Sequence, residues 1–256
     1  MNDKPKNLRP PEPAPTDTGE VPVLVDRATF QAELDALRVR EKARTHEGDA
    51  IAAARRRLPT SDDFSNPGSG WAPDSGQTGV GSGQFAPDGY HVVALQPQNV
   101  LNTFSVASPY GVRMSSMSVA ADGTLLSGTS ADGWGVRCDQ GGRTGLRYTF
   151  EIHGDGGWVI FKIDEKGSAA LAQGQSGAIR AGGAVNNVRG DCTELATGAT
   201  RLTMRINGTV VGQEVDAHPD APLRWHGALV LYRDRSSPAA EVRFNRFQTF
   251  DLGRRS

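Results

Sequence analysis

Apolar positions follow two different periods along this chain. Between residues 26 and 58 they recur every third or fourth residue. Phe30, Leu34 and Leu37 share one helical face, and Ile51, Ala54 and Leu58 repeat the spacing. The segment holds no Pro and a single Gly, with Asp26 placed as an N-cap and Pro59 as a stop, so the pattern predicts helix. The stripe lapses over Arg44-Thr45-His46-Glu47-Gly48, which predicts a bend or a helical hairpin rather than one straight rod. A stripe of this kind needs a cover, and self-association through residues 26–58 is one way to supply it.

From Asp62 the period changes to two. Gly89–Leu95 reads as a strand, and Met114–Ala120 alternates before an expected turn at Asp122-Gly123. Tyr148, Phe150 and Ile152 alternate up to a turn at His153–Gly157, and Trp158–Ile163 runs back. Leu202, Met204 and Ile206 alternate up to Asn207-Gly208, a two-residue type I′ turn, before Thr209–Val215 returns. Ala228–Tyr232 and Glu241–Leu252 finish the pattern, with Phe244, Phe247 and Phe250 as core anchors. About ten to twelve short antiparallel strands over one core predict a mainly β fold, a double-sheet jelly-roll sandwich behind an N-terminal helical segment. The expected organisation is a Pro-rich disordered leader over 1–25, helix over 26–59, sandwich over 60–252 and a tail over 253–256.

Composition narrows the function. Twenty-eight Lys+Arg against 29 Asp+Glu leave a net charge of −1, without the basic footprint that a nucleic-acid partner demands. No run approaches the roughly 18 apolar residues of a spanning helix, so membrane insertion is not expected. Lys4, Lys6 and Arg9 are followed by no apolar stretch of a secretory signal, which leaves the cytoplasm as the default expectation. Of 31 glycines only Gly19 and Gly48 precede Asp62, and the surplus that follows predicts many tight turns.

The order of motifs resembles a known group of domains. Asp62-Asp63-Phe64-Ser65-Asn66-Pro67 with Gly70-Trp71, then Gly89-Tyr90, Gly135-Val136-Arg137-Cys138 and Gly156-Gly157-Trp158-Val159-Ile160-Phe161-Lys162 run in sequence. Asn187–Cys192, Leu202–Gly208 and Val242–Phe247 complete the series. Together they resemble concanavalin A-like jelly rolls related to laminin G and to the 3-keto-disaccharide hydrolases. The resemblance implies a sandwich over residues 60–252 and says little about function. Arg27–Leu34 and Ala52–Pro59 resemble the opening helix of a bacterial thioredoxin-like family of unknown function, without its redox core. That pairing implies a gene fusion with its junction near Pro59-Thr60.

Candidate chemistry is sparse. Cys138 and Cys192 are the only cysteines, and the resembling domains carry cysteines at both positions. Two readings stand: a disulfide closing a loop of about 55 residues, or two buried thiols in a reducing compartment. The five histidines are scattered singly. Gly79–Gly83 reads as a loop, because neither a strand before it nor a Lys-Ser/Thr after it marks a phosphate cradle. Glycosidases pair two carboxylates, and no strand here carries a close acidic pair; Asp62-Asp63 and Asp164-Glu165 read as turns, and Glu151 stands alone. The expectation is therefore a non-catalytic module binding a carbohydrate or a cell-envelope or protein ligand, with two alternatives: a glycoside hydrolase similar to 3-keto-disaccharide hydrolases, and a structural interaction module assembling through the N-terminal helix. Trp134, Tyr148 and Trp158 are the candidate stacking rings, each weighed against a place in the core. No cofactor is expected beyond a structural calcium near the chain ends, from Asp63 with Asn245.

Overall fold

The computed structural model describes residues 26–57, 60–71, 81–96, 104–109, 114–140, 145–217 and 224–253. The leader, Leu58-Pro59, Gly79-Val80, His218 and residues 254–256 lie outside them. The chain falls into two compact units, one built on a helix and one on strands.

Helix α1 (Arg27–Arg57) is continuous through Arg44–Gly48, so of the bend or helical hairpin that the lapsed stripe predicted, the hairpin does not form. One glycine among strong helix formers costs only about 1 kcal/mol, and Thr45 Oγ1 donates back to the Glu41 carbonyl at 3.0 Å. Asp26 caps the first turn as expected: its Oδ1 accepts from Ala28 N at 2.9 Å and Thr29 N at 3.1 Å. Phe30, Leu37 and Ile51 are exposed.

The second unit contains β1 (Thr60–Asp62), β2 (Gly81–Ala86), β3 (Gly89–Ala94), β4 (Phe104–Ala107) and β5 (Met117–Ser127). They are followed by β6 (Gly133–Asp139), β7 (Arg147–His153), β8 (Gly157–Asp164), β9 (Gly167–Gln175) and β10 (Asn186–Glu194). Last come β11 (Thr200–Ile206), β12 (Thr209–Asp216), β13 (His226–Tyr232) and β14 (Ala240–Asp251). They form two antiparallel sheets. One is ordered β12-β11-β10-β5-β14-β3-β2, with β1 also on β14, and the other β4-β13-β6-β7-β8-β9. This is the expected jelly-roll sandwich. The β11–β12 turn has φ of 50° at Asn207 and 85° at Gly208, the two left-handed residues of a type I′ turn.

Two expectations change, and one strand was not anticipated. Gly81–Gly83 open β2, an edge strand rather than a loop. Strand β9, Gly-Ser-Ala-Ala-Leu-Ala-Gln-Gly-Gln, has little intrinsic strand preference and forms by pairing along β8. Asp122-Gly123 lie in mid-strand in β5, not at a turn. A Cβ on Gly123 would stand 2.7 Å from the Trp134 ring, so the glycine makes room for an indole from the other sheet. Opposite it, β14 slips register between Phe244 and Arg246, leaving Asn245 in a bulge.

The same interleaving recurs at Gly190 on β10, where a Cβ would fall 2.1 Å from the Phe150 ring. Adding a methyl there forces that ring from its place. Gly190→Ala is expected to cost about 1–3 kcal/mol by overpacking. Urea unfolding checks this, and Phe150→Leu in the same chain should recover part of the loss.

Cys138 on β6 and Cys192 on β10 are joined, with Cα atoms 6.8 Å apart, so a disulfide ties one sheet to the other. Of the two readings left open, the bridge is the one realised.

Candidate functional site

The register of β6, β7 and β8 places Trp134, Ile152 and Trp158 side by side on the core face of the six-stranded sheet. Trp134 is buried and meets Phe244 edge-on, with centroids 5.7 Å apart at 81°. Trp158, 9% exposed, lies over Gly174 of β9 and Gly212 of β12. Tyr148 is fully enclosed; its hydroxyl donates to Asp216 Oδ2 at 2.6 Å, and Lys162 Nζ pairs with the same oxygen at 2.7 Å. Burial raises the Tyr148 hydroxyl above its ordinary range, and the hydrogen bond to Asp216 adds to this.

Two hollows flank the His153–Gly157 turn and share His153. One, of about 570 Å³, is lined by Trp158, Phe161, Gln173, Gln175, Asp155 and His153. The other, of about 210 Å³, takes in Trp134, Ile152, Ile179, Arg180 and Asn186. Of the three candidate rings, Trp158 and Trp134 each edge one hollow, while Tyr148 lines neither.

The opposite face of the same sheet carries chemistry that alternation alone did not single out. There β6 places Gly133, Gly135, Arg137 and Asp139 beside His153, Glu151, Thr149 and Arg147 of β7. Arg137 Nη2 donates to Asp139 Oδ2 at 2.6 Å, and Arg147 Nε lies 4.0 Å from that oxygen. Glu151 is only 2% exposed. Its Oε1, the Thr149 hydroxyl and Arg137 Nε are buried without hydrogen-bond partners. Burial pushes the Glu151 carboxyl up to about 7, against the pull of Arg137. Leaving such atoms unpaired costs roughly 1–3 kcal/mol each, more for charged groups. A ligand that supplied the partners would recover it.

Asp139 faces Arg147, four residues before Glu151, so their backbone positions lie about 13 Å apart along the strands, with Arg137 between them.

The candidate calcium ligands each have other partners. Asp63 Oδ1 accepts from Ser65 N at 3.0 Å, and Asn245 Nδ2 donates to the Asp88 carbonyl at 2.8 Å. Asn245 Oδ1 is buried and unpaired. Among the described residues no three His, Cys, Asp or Glu side chains are grouped to hold a metal ion. None of the described helices is long and apolar enough to cross a membrane.

No family model matches the sequence, and no curated protein does. Solved structures do match in shape. A carbohydrate-binding module, CBM66 from Bacillus subtilis, aligns with 72% of this chain and 96% of its own, at 11% identity and a TM-score of 0.50. A native glycosidic hydrolase aligns with 77% of this chain and 97% of its own, at 9% identity and a TM-score of 0.54. The GH43 protein BlXynB from Bacillus licheniformis aligns over 75% of this chain at 12% identity and a TM-score of 0.53, and this chain spans 39% of its length. What these proteins share with this chain is the fold, a jelly-roll sandwich.

Proposed function

We propose that the sandwich is a saccharide-binding module without hydrolytic activity of its own, and that the ligand lies in the hollow beside Trp158. The observation that carries this reading is the composition of that wall. One half-buried aromatic side chain, two exposed amides, an exposed carboxylate and an imidazole line one hollow, and Trp158, whose ring packs on the core side of the same strand, borders it. Rings cover the apolar face of a sugar, and amides and carboxylates bond its hydroxyls. Neighbours of the same fold include a carbohydrate-binding module, which adds support by analogy. The Cys138–Cys192 bridge supports service in an oxidising compartment.

The test is a titration of the full chain with xylohexaose, cellohexaose, laminarihexaose and glucuronan. Gln173 is exposed and Phe161 half-buried, so their alanine variants alter the wall while sparing Trp158, which also packs in the core. Phe161→Ala with Gln173→Ala is expected to weaken binding at least tenfold while leaving the melting temperature within a few degrees. Binding to none of the four probes would overturn the reading.

A second reading, a glycoside hydrolase similar to 3-keto-disaccharide hydrolases, draws on Glu151. A carboxyl held near 7 suits a general acid. Release of product from a 3-keto-glycoside, abolished by Glu151→Gln, would establish that reading in place of the first.

A further inference from the structure

We propose that Arg137 and Glu151 together read a hydroxyl of the bound ligand, and that capture of a neutral saccharide drives a proton off Glu151 into solvent. The inference rests on the saccharide-binding reading above and specifies how that site senses pH.

The geometry starts with the register. Glu151 pairs across β7–β8 with Val159, and His153 lies two residues further along β7 on the same face. Both Val159 and His153 line the larger hollow, so Glu151 adjoins two residues of its wall on the same face of the sheet. On its other side Glu151 pairs with Gly135, which presents no side chain, and Arg137 is the next residue of β6 on that face. The unpaired atoms are complementary to one ligand group. Arg137 Nε–H is a donor that lacks an acceptor, and Glu151 Oε1 lacks a donor. A hydroxyl satisfies both at once, accepting from the guanidinium and donating to the carboxylate.

The second element is the protonation state. Val159, Ala228 and Val230 share this face and are buried, so the free carboxyl sits in an apolar surround that favours its neutral form. A protonated carboxyl can donate to the ligand, but it lacks the charge-assisted bond that a carboxylate makes. An arriving hydroxyl therefore stabilises the ionised form, and the proton leaves to solvent while no covalent bond changes. The other ionisable groups facing Glu151 are Arg137 and Asp139 on β6, Arg147 and His153 on β7, and His226 and Tyr232 on β13. From β8 the face receives Val159, Phe161 and Ile163, none of them ionisable. His153 and His226 can each be replaced as a control.

The experiment is calorimetric titration of the full chain at pH 6 and pH 8, with the tightest-binding neutral oligosaccharide of the three named above. Each titration is run in two buffers of different ionisation enthalpy. Binding should be about tenfold tighter at pH 8 than at pH 6, with proton release near pH 6–7. Glu151→Gln should flatten the slope and abolish the release while still binding, because its amide oxygen accepts the same hydroxyl. His153→Gln with His226→Gln should keep the slope. A pH-independent affinity, tighter binding at pH 6, or an unaltered slope in Glu151→Gln would overturn the inference and leave saccharide binding intact. Binding to no probe at either pH overturns both.

Discussion

Glu151→Gln is expected to match the parent protein in stability near pH 4 and to exceed it by roughly 3 kcal/mol at pH 8. The sign follows from the direction of the shift. Burial holds the folded-state carboxyl at about 7, above the 4.5 of a free glutamate. Between those values the folded protein keeps a proton that the unfolded chain has released. Rising pH therefore favours unfolding through this window, and the loss is complete once the pH passes the folded-state value. Glutamine carries no such proton and keeps a similar shape, so its stability curve lacks this decline. Urea unfolding of both proteins from pH 4 to pH 8.5 tests it. Parallel curves would mean that Glu151 is ordinarily solvated. The variant is thus expected to gain stability at alkaline pH while its ligand affinity loses its dependence on pH. That combination separates a group retained for binding from one retained for folding.

Removing the Cys138–Cys192 bridge should cost about 4 kcal/mol, the chain-entropy value for a loop of about 55 residues. The bridge spans the two sheets and both cysteines are fully buried, so native contacts alone must then hold the sheets in place. The double replacement Cys138→Ala, Cys192→Ala avoids burying two thiols. It should melt roughly 8–16 °C below the parent, given the shift of about 2–4 °C per kcal/mol for domains of this size. Incubating the parent with a thiol reductant under mild denaturation should reproduce the shift. Coincident melting curves for parent and variant would show that the bridge contributes nothing to stability.

Local chemistry explains which parts of the fold were legible in the sequence. Asn207-Gly208 declared its turn because left-handed backbone at both positions restricts the choice of residue. Alternation at Tyr148, Phe150 and Ile152 put these residues on one face, and that face is the core. The same alternation put Thr149 and Glu151 on the other face without saying that it is buried. Burial there depends on what lies over a strand, which period two does not encode. Glu151 therefore read as an acid standing alone. Its neighbours Arg137 and Asp139 belong to another strand, and only the register brings them together. Gly123 was misread as a turn because glycine serves two purposes, left-handed backbone and absent bulk. Strand β9 was illegible for a third reason: partner β8, rather than its own residues, makes it extended.

The small-against-large contacts across the sandwich also bear on how the chain can change over generations. Gly123 faces Trp134 and Gly190 faces Phe150. At each contact the two members belong to different sheets but occupy one volume. A lineage can exchange which sheet supplies the bulk only by altering both, and the order matters. Trimming the ring first opens a void that neighbours can partly fill, whereas enlarging the glycine first drives atoms into a ring with nowhere to go. Related sequences should therefore vary at these positions in pairs, and intermediates caught midway should carry the shortened ring beside an intact glycine.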